Sequence, residues 1–165
     1  MCLAGCFGRG LPPLATPTPE TTLYYGRIEL PKGISVQGVD VFRLGQVYFG
    51  GPPFTRSWYE GYFLREGLPP GDYYPAQFWA DGRQHAFGWR ADETRNVASA
   101  VQPGGCTYLG TFKIGNVTDR LIRTDTFEVE VIRNPSTEKE VLGWLIETMQ
   151  GTGWDARLKE RLAAL

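Results

Sequence analysis

The amino-acid sequence predicts a mainly β protein: an antiparallel β-sandwich of about seven strands with a C-terminal pair of α-helices. Three observations predict it. The chain of 165 residues holds 5 Trp, 8 Tyr and 9 Phe beside 21 Gly and 12 Pro, and aromatic runs broken by turn formers favour strands joined by tight turns. From Leu23 to Ile132 the apolar runs are short, as strands are, and lie between Gly and Pro. After Asn134 the apolar spacing changes from alternation to a helical stripe. The expected layout is a tether over residues 1–22, the sandwich over 23–134 and the helical pair over 135–165, packed on or beside the sandwich.

Strands are expected at Leu23–Leu30, Val39–Phe49, Trp58–Arg65, Tyr73–Ala80, Gln84–Trp89, Tyr108–Ile114 and Thr126–Ile132. The last carries the plainest pattern. Phe127, Val129 and Val131 alternate with Glu128 and Glu130, as on a strand with one wet face. Asp81-Gly82 lies between two of these runs and predicts a tight hairpin. Beyond them, Asn134-Pro135-Ser136 stops the last strand, and Thr137 with Glu140 has the spacing of a capping box. Val141, Leu142, Leu145, Ile146 and Met149 then form one helical stripe, ended by Gly151. Thr152 and Asp155 repeat the capping spacing ahead of a second stripe, Trp154, Leu158, Leu162 and Leu165.

Two phrases resemble each other. Leu68-Pro69-Pro70-Gly71-Asp72-Tyr73 and Val101-Gln102-Pro103-Gly104-Gly105-Cys106-Thr107-Tyr108 both set an apolar residue, then Pro-Gly, then a Tyr-bearing strand. Pro followed by Gly suits a type II turn, in which Gly takes positive φ. The phrase resembles that of small β-sandwich domains of the prealbumin-like and carboxypeptidase-regulatory kind. The resemblance covers about half of the domain, rests on turn chemistry, and implies a sandwich rather than an activity.

The chain opens Met1-Cys2-Leu3-Ala4-Gly5-Cys6. Leu-Ala-Gly-Cys resembles the lipobox of bacterial lipoproteins. The resemblance implies that Cys6 is diacylated through its thiol and becomes the first residue of the mature protein. Only five residues precede Cys6, whereas export requires a basic segment and an apolar stretch of about 7–15 residues; either that part has been trimmed away, or the true start lies upstream of Met1, or the match is accidental. Phe7 to Thr22 contains Pro12, Pro13, Pro17 and Pro19 among Gly and Thr. Such a segment buries little apolar surface and suits an extended spacer. Phe7 stands where inner-membrane lipoproteins often carry Asp, so the resemblance implies the outer membrane, with the domain facing periplasm or surface. The implied partners are the bilayer, through Cys6, and another envelope protein.

Composition narrows the chemistry. Net charge is −1 and no Lys/Arg block occurs, which disfavours nucleic acid as a partner because phosphate neutralisation supplies most of that affinity. Three cysteines, Cys2, Cys6 and Cys106, show no metal-ligand spacing and do not pair off into a disulfide framework. His85 is the only histidine, so a His-rich metal site is excluded, and no nucleophile motif accompanies it. Glu60 and Glu66 are not singled out as a glycosidase pair, and Gly50-Gly51-Pro52-Pro53 lacks the Lys-Ser/Thr of a phosphate loop. No catalytic residue, metal or cofactor is expected. The reading is a non-enzymatic, lipid-anchored structural or assembly component of the envelope. The alternative is a carbohydrate-binding module that stacks sugar rings on Trp58, Tyr59, Tyr62, Trp79 and Trp89, aromatics spread over three of the expected strands.

Overall fold

Leu23-Tyr24-Tyr25 opens a strand that has no wet face. β1, Leu23–Glu29, is buried at each of its first four residues and lies inside a four-stranded sheet. The computed structural model describes residue 14 and residues 16–32, 34–46, 54–56, 61–80, 82–118 and 126–165, with backbone alone at 54–56, 116–118 and 126–127. Over these residues the chain is mainly β, with two sheets, three helices and the helical pair at the C-terminus.

The first sheet has the order β4 (Tyr62–Glu66), β1, β8 (Cys106–Thr118), β9 (Thr126–Ile132). The second has the order β3 (Phe54–Arg56), β2 (Val36–Arg43), β5 (Gly71–Ala80), β6 (Arg83–Ala86), and β7 (Ser99–Val101) pairs with the start of β5. All pairings are antiparallel except one: β1 runs parallel to β8, with Leu23 opposite Cys106 and Phe112 opposite Ile28. That pairing corrects the all-antiparallel expectation. Its physical reason is the burial of β1 on both faces, the environment in which parallel strands occur.

Alternation along the first sheet sends side chains to two separate cores. Tyr24, Ile28, Phe63, Leu109, Phe112 and Ile114 join Val39, Val41, Tyr73 and Phe78 of the second sheet in one cluster. Leu23, Tyr25, Tyr62, Leu64 and Tyr108 point the other way and pack with Val141, Leu142, Leu145, Met149, Trp154 and Leu158 of the helical pair. The first sheet is therefore the middle layer, between the second sheet and the helices. β1 approaches its neighbours so closely that a Cβ on Gly26 would lie 2.6 Å from the Gly110 carbonyl oxygen.

The helical pair begins one turn earlier than the capping spacing predicts. α2 spans Pro135–Thr148 and its cap is Asn134, whose side chain accepts from the Thr137 backbone N–H at 2.9 Å. Asn is among the best N-caps and Pro is favoured just inside the helix, so Asn134-Pro135 is a start as well as a strand stop. α3 spans Asp155–Ala163, and Thr152 Oγ1 accepts from the Trp154 N–H. A third helix, α1 at Ala91–Val97, was not expected. Only Val97 of its seven residues is buried, so it leaves no apolar stripe to read.

The turns divide. Gly104 takes φ +69° between Pro103 and the Gly105 N–H that bonds the Gln102 carbonyl, as a type II turn requires. Gly71 instead has φ +156° at the first residue of β5, so the Pro70-Gly71 phrase makes a strand start and not that turn. Ala80 and Arg83 pair across the expected hairpin, with Gly82 at φ +75°; Asp81 lies outside the described residues. Val47 to Phe49 and Trp58 to Glu60, expected as strand residues, also lie outside them.

Candidate functional site

Three places concentrate polar or aromatic side chains in ways that pure packing does not require. The first is the outer face of the second sheet. On β2, Val39 and Val41 point into the core, so Asp40 and Phe42 stand on the opposite face. On β5 the same face carries Tyr74, Gln77 and Trp79, and β6 adds Gln84. Asp40 is only 2% exposed, and its Oδ2 accepts from Trp79 Nε1 at 3.1 Å and Gln84 Nε2 at 3.1 Å. Gln84 Nε2 also donates to Gln77 Oε1. A buried carboxylate is costly unless charge-assisted bonds replace its water, and here an indole and an amide do so. Phe42 and Tyr74, half-buried, sit 6.2 Å apart beside this cluster.

The second place ties the middle sheet to the helices. Glu138 accepts from Tyr25 Oη at 2.8 Å and from two Arg161 nitrogens, Nε at 2.8 Å and Nη2 at 3.1 Å. One carboxylate thus joins β1, α2 and α3. Burial, and then the charge of Glu138, push the Tyr25 hydroxyl up, while the hydrogen bond to Glu138 raises Arg161. Both directions favour the pairing as drawn: a neutral phenol and a charged guanidinium donating to one carboxylate. Arg27 extends the junction through Glu140 at 2.8 Å and Glu29 at 3.0 Å.

The third place receives the N-terminal segment. Arg157 on α3 donates to the carbonyls of Thr18, Thr21 and Gly104. Thr22 is buried, and its hydroxyl donates to the Leu68 carbonyl at 2.8 Å. Leu14 packs on the helix-side core. Within the segment expected as tether, Thr18, Thr21 and Thr22 are bonded to the domain, the first two through their backbone carbonyls.

Of the aromatics expected to form a ledge, Tyr62, Trp79 and Trp89 are among the described residues. Trp58 and Tyr59 lie outside the described residues, as does Cys6. Tyr62 is buried, stacked on Trp144 at 4.4 Å with Arg27 over its ring at 4.7 Å. Trp89 is half-buried, stacks on Phe87 at 5.3 Å and donates to the Pro75 carbonyl. Trp79 joins the polar cluster around Asp40. His85 stacks on core residue Phe78 at 5.1 Å. Glu66 accepts from the Trp154 indole. Burial pushes the Cys106 thiol up to about 11, which leaves it protonated and unreactive at neutral pH. Asp40 was missed, although an Asp between Val39 and Val41 in a strand of β-formers is the signal that finds it.

Among the described residues, no group of three or more His, Cys, Asp or Glu side chains is placed to hold a metal ion. No described helix is long and apolar enough to cross a membrane. No known protein family matches the chain, and no curated protein or solved structure is similar to it.

Proposed function

We propose that the protein is a lipid-anchored, non-enzymatic component of a bacterial envelope, held to the outer membrane through Cys6 and serving a structural or assembly role with another envelope protein. The observation that carries the proposal is Leu3-Ala4-Gly5-Cys6 followed by a Pro/Thr segment. What the fold adds in support is that this segment leads from Thr16 straight onto a three-layered domain. We read the two sheets, which share one apolar cluster, as a β-sandwich of the prealbumin-like kind with a helical layer added. The polar groups described are spent on joining elements, as in Tyr25–Glu138–Arg161, and that suits a scaffold. Expressed from its full genomic reading frame in a bacterial host, the protein is expected to incorporate labelled fatty acid and to sediment with membranes. Cys6→Ala is expected to abolish both; retention of label by Cys6→Ala would overturn the anchor.

A second reading has one specific observation behind it. Trp79 beside Gln77 and Gln84, its indole and the Gln84 amide held by the buried Asp40, combines an aromatic face with two amides, chemistry that suits a pyranose ring. On this reading the outer face of the second sheet binds glycan. Trp79→Ala is expected to remove retention on immobilised glycans while the variant still melts cooperatively, its melting temperature lowered by roughly 5–10 °C because Asp40 loses its indole donor. A wild-type protein that no glycan retains would refute the reading.

A further inference from the structure

We infer that residues 16–22 are a latch on α3: docked, they hold that helix down on the middle sheet, and released, they free it while the two sheets stay folded. Nothing in the latch depends on acylation of Cys6.

α3 is weakly held by its own sequence. It has nine residues, fewer than the about 12–15 at which a helix is even marginally stable alone. Leu158 is the one residue of α3 that is buried. Two arginines, one turn apart, tie the helix to the rest of the domain. Arg161 bonds Glu138 on α2. Arg157 bonds the N-terminal segment and the turn before β8. Its Nη2 donates to the Thr18 carbonyl at 2.6 Å, and its Nη1 to the carbonyls of Thr21 at 3.0 Å and Gly104 at 3.4 Å. The guanidinium also lies over the buried Trp154 ring at 5.3 Å. A planar fork already stacked on an aromatic loses little freedom in meeting carbonyls.

The segment presents those carbonyls in fixed positions. Thr18 and Thr21 close a turn: the Thr21 N–H donates to the Thr18 carbonyl at 3.0 Å, and the Thr18 N–H to Thr21 Oγ1 at 2.9 Å. Behind the turn, the Gly104 N–H donates to the Glu20 carbonyl at 3.3 Å. Pro17 closes over the loop between α2 and α3, where a Cβ on Gly153 would fall 2.6 Å from Pro17 Cδ. Undocking the segment therefore removes two of the three carbonyls that Arg157 holds.

α3 lies over Cys106. That residue stands opposite Leu23 in the β1–β8 pair and packs on the helix-side core, and Arg157, Arg161 and Glu160 of α3 act on its thiol. The apolar cluster between the two sheets is separate, so lifting α3 leaves it whole. A pull or a partner that undocks the segment thus opens the helix-side core and leaves the sheets paired.

Hydrogen exchange and alkylation of the full chain test this, with Cys106 as a reporter thiol read by mass spectrometry of its own peptide. Gly153→Val acts from the side of the segment: Gly153 is exposed, and the three atoms nearest an added Cβ belong to Pro17 and Thr16. Arg157→Met acts from the side of the helix, keeping an apolar stem and removing the donors. Coupling between the two is reciprocal. In the parent, residues 16–22 are expected to exchange more slowly than an unstructured peptide. In each variant, exchange over 16–22 and over α3, and labelling of Cys106 by iodoacetamide, are expected to accelerate by about tenfold, with β2 and β5 unchanged. A released segment with α3 and Cys106 as slow as in the parent would overturn the latch, because the two would then be independent. So would a segment that exchanges fast in the parent or stays slow in both variants. Equal acceleration in β5 would overturn it too, since helix and sheets would then open as one unit.

Discussion

Trp154→Ala is expected to destabilise the protein by about 3–5 kcal/mol, the range for removing a large buried aromatic. Trp154 is fully buried where α3 begins, and it is among the largest side chains in the core between the helices and the middle sheet. Its indole N–H reaches Glu66 on β4, and its ring carries Arg157. The substitution leaves a cavity in the cluster that also holds Leu158 and Met149, and removes the ring over which Arg157 lies. In a domain of this size the loss corresponds to a fall in melting temperature of roughly 10 °C. The helical layer is expected to loosen first, which hydrogen exchange over α2 and α3 detects before global unfolding. A melting temperature within about 2 °C of the parent would show that the helices are not integral to the fold.

Arg161→Met carries the second large effect. It leaves the Glu138 carboxylate, 7% exposed at its side chain, with Tyr25 as its remaining side-chain donor among the bonds described. Breaking a buried pair from one side costs about 3–5 kcal/mol; Arg161 is 38% exposed at its side chain, so solvent screening places this one at about 3 kcal/mol. The opposite change is milder, because Glu138→Gln leaves a partly exposed guanidinium and a hydroxyl that still has an acceptor. Replacing both partners by Met is expected to recover part of the loss, since an apolar pair needs no compensating charge but the buried Tyr25 hydroxyl loses its acceptor. Chemical denaturation of the three variants checks this. A double variant as unstable as Arg161→Met would mean that packing, and not the stranded carboxylate, sets the cost.

Local pattern was legible in the sequence and pairing was not. In β9, Glu128 and Glu130 are exposed while Val129 and Val131 pack on the core, as strict alternation foretells. Of the predicted stripe, Val141, Leu142, Leu145 and Met149 are buried and Ile146 is half-buried against the same core. By contrast, Leu23-Tyr24-Tyr25 reads equally well as a strand with one wet face or with none. Only the helices, arriving more than a hundred residues later, decide it. The parallel β1–β8 pairing follows from that non-local packing. α1 and the three-residue β7 lack the length to carry a periodic signal. At the candidate sites, Trp79 stood out by residue type and Tyr62 did too. Their different fates depend on which face of each strand the helices cover, and composition does not encode that. The fastening of Thr18, Thr21 and Thr22 was hidden for another reason: its bonds come from backbone carbonyls, which every residue has.

The account turns on Cys6. The most direct measurement is the mass of the N-terminal peptide of the protein isolated from a bacterial envelope after expression from its full reading frame. The account predicts a peptide that begins at Cys6 and carries a diacylglyceryl group on the thiol. A peptide in which Cys6 is internal with a free thiol would contradict it.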